Sequence, residues 1–344
     1  MPADVLNEKV TALLKTAGYH EPVELVPLGR GGNNRLFLAR VKGRIIGIIK
    51  QYYPTKHNLR DRLSSEYRFS EFLWHHNIHR IPMPIACDPS NHLAFFGYID
   101  GRRISPEEIT EDHINQALDF FHAINTWRTS EDARELPDAA EACFSLGEHI
   151  GLTGKRVLSL ERMGISSSLD KKAQGFVRDE LRPAWDAVRK KALFLAKDSG
   201  IGPDQPVPGR DRRLSPSDFG FHNALVNERG RLFFLDFEYA GWDDPAKTVC
   251  DFFCQPEIPV PEQFFPLVTE SILAGMEDVA LHRRRIGILR PVYQVKWCCI
   301  VMNEFLPRGK SRRAFMEKPS GSESVKEEQL RKAGNILQNI SLDS

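Results

Sequence analysis

Three oxygen-bearing side chains lie at short distances from one another in the second half of the sequence. Asp218 precedes Asn223 by five positions, and Asp236 follows Asn223 by thirteen. The segment "NERG" at 227–230 predicts the turn of a β-hairpin, which would return Asp236 to the side of Asn223. Carboxylate and amide oxygens suit Mg²⁺, which takes one or two carboxylates from a protein and keeps several waters. The spacing therefore predicts a magnesium site on a hairpin.

The order of these residues predicts a role for each. In phosphoryl-transfer sites a catalytic Asp precedes a metal-binding Asn by five positions, and a metal-binding Asp lies on a later strand. Asp218 fits the catalytic position, whereas Asn223 and Asp236 fit the metal positions. Glu238 is a further candidate metal ligand. The literal Asp-Phe-Gly at 218–220 is then a coincidence, because the segment that matches the metal motif is 236–238.

Lys50 ends a run of apolar β residues, "IIGIIK", where an unpaired ammonium is costly. It therefore needs a carboxylate or a phosphate as partner. On a helix over 59–76, Glu66 falls in the middle of the apolar face and Glu71 points away from it. We therefore predict an ion pair between Lys50 and Glu66, with Lys50 orienting the phosphates of a nucleotide. The alternatives are a strand-end lysine that reaches solvent and a rotated helix that leaves Glu66 solvated.

A glycine-rich turn, "GRGGNN", precedes Lys50 by one hairpin. Adjacent glycines let backbone N–H groups approach an anion closely, so Gly31, Gly32 and Asn34 are candidate nucleotide-binding residues. A plain hairpin turn explains the same residues equally well. This motif alone therefore does not decide the function.

The composition fits a globular protein with two or three packed lobes, since the chain has 344 residues, 41% of them hydrophobic. The net charge of +1 gives no support for nucleic acid or an anionic membrane as partner. No apolar run of about 18 residues is present, and the start "MPADVLNEKV" lacks the features of a signal peptide. Six cysteines without such a signal predict reduced thiols and a cytoplasmic location.

The coarse pattern is α+β. A helix over 4–17, five strands and the helix over 59–76 come first, and a mostly helical remainder with one inserted hairpin follows. We predict an N-lobe at 1–98 and a hinge at 99–104. A helical C-lobe would span 105–317, and a charged, loosely held tail would span 318–344.

The motifs together resemble those of a known superfamily. "GGNN" with Lys50, "SDFGFHNALV" and "FLDFEYAGWDDP" look like the aminoglycoside phosphotransferase and choline kinase superfamily, small-molecule relatives of protein kinases. The segment 290–307 also resembles a late helix of such proteins. The resemblance implies a protein-kinase-like bilobal fold with a small antiparallel N-lobe sheet, ATP and Mg²⁺ at the cleft, and transfer to a hydroxyl of a small molecule. It also implies that backbone groups from Tyr98 to Gly101 meet adenine.

Two positions bear on whether the chain is active. Pro216 lies where the superfamily pattern has a His two residues before the catalytic Asp, and proline can brace a loop by fixing φ near about −65°. His222 is a candidate replacement for that His, although a loop side chain without catalytic part is the simpler interpretation. Asp251 resembles the acidic residue that braces the catalytic loop.

The sequence is compatible with three functions. Retention of Lys50, Asp218, Asn223 and Asp236 favours an ATP-dependent phosphotransferase. The alternative, a nucleotide-binding pseudokinase without turnover, has only Pro216 in its support. A protein kinase is weaker, because no Ala-Pro-Glu segment follows Asp236.

The acceptor pocket is predicted from a helix over 289–305. Lys296 and Asn303 fall on its apolar face, and the simpler interpretation pairs Lys296 with Asp251. In the other interpretation this face closes over an acceptor. A lysine in the pocket wall would disfavour a quaternary amine, so a sugar or amino sugar ranks above choline. The candidate acceptor-binding residues are Trp242, Asp243, Asp244, Lys296, Trp297 and Asn303.

Overall fold

The structure, a computed structural model, describes residues 3–28, 34–53, 61–307 and 323–340. The chain divides into two units, which are described separately. The first comprises Met1–Ala140 and Leu214–Trp242, and the second comprises Glu141–Arg213 and Asp243–Ser344. The predicted hinge at 99–104 lies within the first unit, and the predicted lobe boundaries stay a prediction.

An antiparallel sheet forms the core of the first unit. Within the described residues its strand order is β1-β2-β3-β5-β4, so β3 is central. Lys42 and Gly43 have positive φ in the tight turn between β2 and β3. The strands are β1 (Glu24–Leu28), β2 (Arg35–Val41), β3 (Arg44–Gln51), β4 (Pro84–Asp88) and β5 (Leu93–Phe96).

Two helices pack on opposite faces of this sheet. Helix α1 (Ala3–Thr16) places Leu6, Val10, Leu13 and Leu14 in one buried cluster with Ile49 of β3. Helix α2 (Arg62–His75) starts at Asp61, whose side chain accepts a hydrogen bond from the backbone of Ser64, and packs Leu63 against Tyr52. Because side chains alternate along a strand, Lys50 lies on the face that α2 covers.

Further elements of the first unit carry the predicted catalytic hairpin. Strands β7 (Ala224–Val226) and β8 (Leu232–Phe234) pair antiparallel, with Ala224 opposite Phe234. The predicted hairpin is therefore confirmed. Arg102 exchanges two backbone hydrogen bonds with Val226, of 2.9 and 2.8 Å, which ties the segment after Tyr98 to β7. The other elements here are α3 (Glu111–Thr126), α4 (Glu131–Arg134), β6 (Arg213–Ser215) and β9 (Gly241–Asp243).

The second unit is helical, as the pattern predicts. The capping box at Ser145 and Glu148 starts its first helix. Its helices are α5 (Leu146–Glu161), α6 (Ser168–Phe176), α7 (Arg182–Asp198), α8 (Pro245–Cys254), α9 (Phe265–Leu273), α10 (Val279–Val301) and α11 (Glu323–Gln338). The antiparallel sheet followed by this helical unit confirms the α+β prediction.

Two expectations for the end of the chain are wrong. The segment Glu323–Gln338 is not loosely held, because it forms α11 and buries Lys326 and Ala333. The Lys326 ammonium lies 2.5 Å from the carboxylate of Asp170, and the Cys298 thiol contacts the carbonyl oxygen of Ala333. The helix predicted over 289–305 begins earlier, at Val279, and its α-helical part ends at Val301. Among the described residues, no helix has the length and apolar character needed to cross a bilayer.

Candidate active site

Lys50 contacts two carboxylates at the centre of the first unit. Its Nζ lies 2.6 Å from Glu66 Oε2 and 2.6 Å from Asp236 Oδ1. The predicted pair with Glu66 is therefore confirmed, and Glu71 is exposed on the other side of α2. The contact with Asp236, 186 positions along the chain, was not predicted from the sequence. The Lys50 ammonium of β3 thus contacts α2 through Glu66 and the segment after β8 through Asp236.

The local sequence explains why Lys50 and Glu66 meet. Lys50 pairs across the sheet with Leu36 and Ala94, so it lies on the central strand and faces α2. The hydroxyl of Tyr52 also donates to Glu66 Oε2, at 2.8 Å. Tyr52 follows Lys50 by two positions and must share its face of the strand. That period-two relation in the sequence was a signal for a second donor to Glu66, which was not predicted.

The buried charges shift one another's ionisation. Burial lowers the pKa of Lys50, but the carboxylates of Asp236 and Glu66 outweigh it and raise the pKa above its ordinary value. Burial raises the pKa of Glu66 to about 7 against the opposing effect of Lys50. Burial also raises the pKa of Asp236, with Lys50 opposing and Glu238 adding to the rise. The ammonium therefore stays charged, while the carboxylates around it repel one another.

A group of three carboxylates surrounds this ammonium. Glu66, Asp236 and Glu238 each offer an oxygen, and these oxygens lie within 4.8 Å of one another. Asn34 donates its amide to Glu238 Oε2 at 2.7 Å, and Arg62 Nη1 lies 3.7 Å from Glu238 Oε1. An all-oxygen donor set of this kind suits Mg²⁺. The sequence had assigned Glu66 to Lys50 alone, and the structure adds it to the possible cation ligands.

The predicted catalytic loop is held close to this group by the hairpin. The backbone N–H of Leu235 donates to the carbonyl of Asn223 at 2.8 Å, so Asp236 follows directly beside Asn223. The Asn223 amide donates to the backbone carbonyl of Asp218 at 3.0 Å. Ser217 and Asp236 both adopt positive φ, near 66° and 65°, which non-glycine residues rarely do. Such backbone strain is often found where a fold fixes functional groups.

His222 contacts the predicted catalytic carboxylate. Its Nε2 lies 3.0 Å from Asp218 Oδ1. His222 lies within a short 3₁₀ turn, Phe221–Asn223, which follows Asp218 and ends at the predicted metal ligand Asn223. The sequence analysis preferred a loop side chain without catalytic part for His222. The spacing of four positions was a usable signal, because one turn of helical backbone brings such residues together.

The remaining predicted nucleotide-binding residues fall in different places. Gly31 and Gly32 lie outside the described residues. Asn34 is buried, and its side chain joins Glu238 and the backbone N–H of Tyr53. Tyr98 is 41% exposed at the end of the sheet. The nucleotide-binding roles of these residues stay predictions.

In the second unit Asp251 is the centre of a buried cluster. It accepts from Lys296 Nζ at 3.1 and 3.2 Å and from the Trp297 indole at 2.8 Å. Lys247 lies 2.6 Å from Asp243 and 3.4 Å from Asp251. The simpler interpretation of Lys296, a pair with Asp251, is therefore the observed one. The other interpretation, in which Lys296 and Asp243 face an acceptor, stays a prediction, and in the structure both side chains are buried on protein partners.

Asp244 is also committed to protein partners. It is fully buried, accepts from Arg285 at 2.5 Å and lies 3.1 Å from His149 Nε2. The Tyr293 hydroxyl contacts the other nitrogen of His149 at 2.8 Å. This buried chain of hydrogen bonds explains Asp244 without an acceptor.

The last two acceptor candidates are Asn303 and Trp242. Asn303 follows the end of α10 in a 3₁₀ turn, Met302–Phe305, so the helical phase used to place it beside Lys296 does not extend that far. Trp242, in the first unit, donates its indole N–H to the carbonyl of Ala133 at 3.0 Å. Their roles in acceptor binding stay predictions.

No protein-family model matches the chain. No curated protein matches it in sequence either. The matches found are therefore to solved structures.

Solved structures of small-molecule kinases match along almost the whole chain. A choline/ethanolamine kinase family protein from Mesorhizobium loti is 16% identical, with a TM-score of 0.57 and coverage of 98% of this chain and 96% of that one. The fold is that of the choline kinases and aminoglycoside phosphotransferases. Choline kinase LicA from Streptococcus pneumoniae is 16% identical, with a TM-score of 0.54 and coverage of 97% and 98%. A spectinomycin phosphotransferase, solved with ADP and spectinomycin, is 12% identical, with a TM-score of 0.60 and coverage of 99% and 98%.

These matches confirm the predicted resemblance and the kinase-like α+β fold. They include kinases of amino alcohols as well as phosphotransferases of aminoglycosides. At such identities the likeness establishes the fold, and the activity of this chain has to be argued from its own residues.

Proposed function

We propose that this protein transfers a phosphoryl group from ATP to a hydroxyl group of a small molecule. The observation that carries the proposal is the double contact of Lys50, which joins Glu66 of α2 to Asp236 beside the catalytic loop. Phosphoryl transfer depends chiefly on positioning and on neutralising charge, and a lysine fixed by a glutamate is a recurring part of kinase sites. Asp218 and Asn223 lie together on the loop that leads into β7.

The donor set of the site fits Mg²⁺ bound together with a nucleotide. Asn223, Asp236 and Glu238 would hold the ion, and Glu66 offers a further oxygen. When bound, the ion neutralises charge on the phosphates of the nucleotide. A nucleotide in this position is supported by the spectinomycin phosphotransferase of the same fold, which was solved with ADP.

Each residue of the candidate site then has its own role in the transfer. Lys50 binds oxygens of the α- and β-phosphates. Glu66 holds the Lys50 ammonium in place, and the Tyr52 hydroxyl donates to the same oxygen of Glu66. Asp218 orients the acceptor hydroxyl and takes up its proton as the hydroxyl oxygen bonds to the γ-phosphorus and the bond to ADP breaks. The protein thus supplies orientation and electrostatic stabilisation, and no covalent intermediate is needed.

The contacts of Lys296 change the ranking of the possible acceptor classes. The sequence ranked a sugar or amino sugar above choline because Lys296 was expected in the pocket wall. The Lys296 ammonium is instead bound to Asp251, so this argument no longer separates the two classes. We propose a hydroxyl-bearing small molecule and give amino sugars and amino alcohols equal weight.

A panel of acceptors tests the proposal. Sugars, amino sugars, aminoglycosides, amino alcohols including choline, and nucleosides would be supplied with MgATP, and acceptor-dependent formation of ADP and phosphorylated product would be measured. We expect at least one class to give product, and the Asp218→Asn variant to lose that signal. Nucleotide binding with neither transfer nor slow ATP hydrolysis would favour the pseudokinase alternative, for which Pro216 remains the only argument.

A further inference from the structure

Arg62, the first residue of α2, is a mostly buried cation beside the candidate active site. Its side chain is 16% exposed, and its Nη1 lies 3.7 Å from Glu238 Oε1, while Asn34 donates to the other oxygen of Glu238. The guanidinium carbon lies 5.5 Å from the centre of the Tyr239 ring, within the range of a cation–π contact. The positive charge is therefore kept in the site by attraction to two neighbouring residues.

Two donors of this guanidinium make no hydrogen bond to the described residues. Arg62 Nε and Nη1 are both buried, and neither has a partner at hydrogen-bond distance in that part of the chain. The distance of 3.7 Å to Glu238 is too long, because charge-assisted hydrogen bonds of this kind measure about 2.7–2.9 Å. Buried donors without a partner are unfavourable, and more so on a charged group. An acceptor from a bound ligand would satisfy them.

The stability of α2 does not account for an arginine at this position. The N-terminus of a helix carries a partial positive charge, so a cation in the first turn is unfavourable there. The N-cap contact is made by Asp61, whose side chain accepts from the backbone N–H of Ser64. Arg62 therefore lies at the end of the helix that favours it least, and its role has to be sought in the site.

The charges of the site indicate which ligand Arg62 would meet. Phosphate groups bring more negative charge to a group of three carboxylates, so cations are needed beside them. Lys50 lies 2.6 Å from oxygens of Glu66 and Asp236, and Arg62 adds a second cation beside Glu238. Arginine suits phosphate oxygens well, because its donors are planar, always charged and less strongly hydrated than an ammonium.

We propose that Arg62 binds the phosphates of the nucleotide as a second cation beside Lys50. Its Nε–H and Nη1–H donate to phosphate oxygens, and the attraction to Glu238 and Tyr239 keeps the guanidinium in place before the nucleotide binds. The nucleotide-binding residues predicted from the sequence did not include Arg62. This inference rests on the proposed function, since it concerns the nucleotide that donates the phosphoryl group.

Calorimetric titration of the full chain with ADP and with adenosine, both in the presence of Mg²⁺, tests the proposal. Arg62→Met removes the donors, and Arg68→Gln, at an exposed position of the same helix, is the matched control. We expect Arg62→Met to raise the Kd of ADP roughly 10- to 100-fold, as for lost hydrogen bonds to a charged group. Its Kd for adenosine, and both values for Arg68→Gln, should stay near those of the wild type. Circular dichroism and the thermal midpoint check the fold of each variant.

The outcomes separate this inference from the proposed function. Unchanged ADP affinity in Arg62→Met would overturn it, and so would equal losses for ADP and adenosine. The loss should persist at saturating Mg²⁺, whereas a loss that Mg²⁺ reverses would mean that Arg62 acts only through Glu238 and would also overturn it. A wild-type protein that binds ADP but transfers phosphate to no acceptor would contradict the proposed function alone.

Discussion

Asp218 and Asp236 lie before and after the same β-hairpin, yet their surroundings differ. Asp236 lies 2.6 Å from Lys50 and belongs to the group of oxygens with Glu66 and Glu238. Asp218 contacts His222 instead. The surroundings therefore support the metal role for Asp236 and the acceptor role for Asp218, although the literal Asp-Phe-Gly begins at Asp218.

We predict that Asp218→Asn and Asp236→Asn lose different properties. Asp218→Asn should keep the affinity for MgATP within a few-fold and lower turnover by at least about 10²-fold, as for a lost general base. Asp236→Asn should abolish the Mg²⁺ dependence of nucleotide binding, because it removes a carboxylate from the cation site. Calorimetric titration with ADP, with and without Mg²⁺, measures the second effect. The reverse pattern would assign the metal to Asp218.

The sequence could predict some residue contacts and not others for a physical reason. The pair of Lys50 with Glu66 followed from two local periods, that of a strand and that of a helix. The contact of Lys50 with Asp236 depends on how the hairpin lies against the sheet, and no local period contains that information. Lys296 was correctly recognised as a buried charge in need of a partner, but the choice between Asp251 and an acceptor required the fold.

At the scale of elements, helix α2 shows that the face on which a glutamate lies determines whether it can contact Lys50. Its buried positions include Leu63, Glu66, Ser70 and Leu73, and Glu71 lies on the exposed face. The helix predicted over 59–76 is close to the observed Arg62–His75. The observed helix begins at Arg62 because the Asp61 side chain caps it. Helix α10 shows the limit of the same reasoning: it ends at Val301, so a phase extended to Asn303 misplaced that residue.

We predict that two substitutions on α2 behave in opposite ways. Glu66→Gln removes the charge that holds Lys50, and hydrogen bonds to charged groups are worth about 1.5–3 kcal/mol, or roughly 10- to 150-fold in kcat/KM for ATP. Glu71→Gln, the matched control on the exposed face, should remain within about twofold. Steady-state kinetics with varied ATP measures both. Equal effects of the two substitutions would contradict the assigned orientation of α2.

At the scale of the whole molecule, the net charge of +1 conceals how many charges are buried. The first unit uses its buried charges in the candidate active site. The second unit buries Asp251 with Lys296 and Asp244 with Arg285. Composition predicted an ordinary globular protein and could not reveal this, because it does not say which charges are inside.

The last prediction concerns the stability that Asp244 provides. Burial alone would raise the pKa of this carboxyl, but the hydrogen bond with His149 and the charge of Arg285 hold it well below its usual range. Asp244→Asn leaves Arg285 buried without its anion, and breaking a buried pair in this way costs about 3–5 kcal/mol. We therefore expect a clearly lower midpoint of urea denaturation at pH 7. Asp179→Asn, which removes an exposed ion pair with Arg178, should leave the midpoint unchanged.

The pH dependence of this difference follows from the sign of the shift. Because the pKa of Asp244 is lower in the folded than in the unfolded chain, its contribution is complete above the unfolded value of about 3.9 and is lost as the pH falls below it. The gap between the wild type and Asp244→Asn should thus be constant from pH 7 to about pH 5 and shrink below about pH 4. Denaturation curves at pH 7, 5 and 3.5 measure it. A gap that widened toward low pH would mean that the carboxyl is protonated in the folded protein, and the network with His149, Tyr293 and Arg285 would then be organised around a neutral acid.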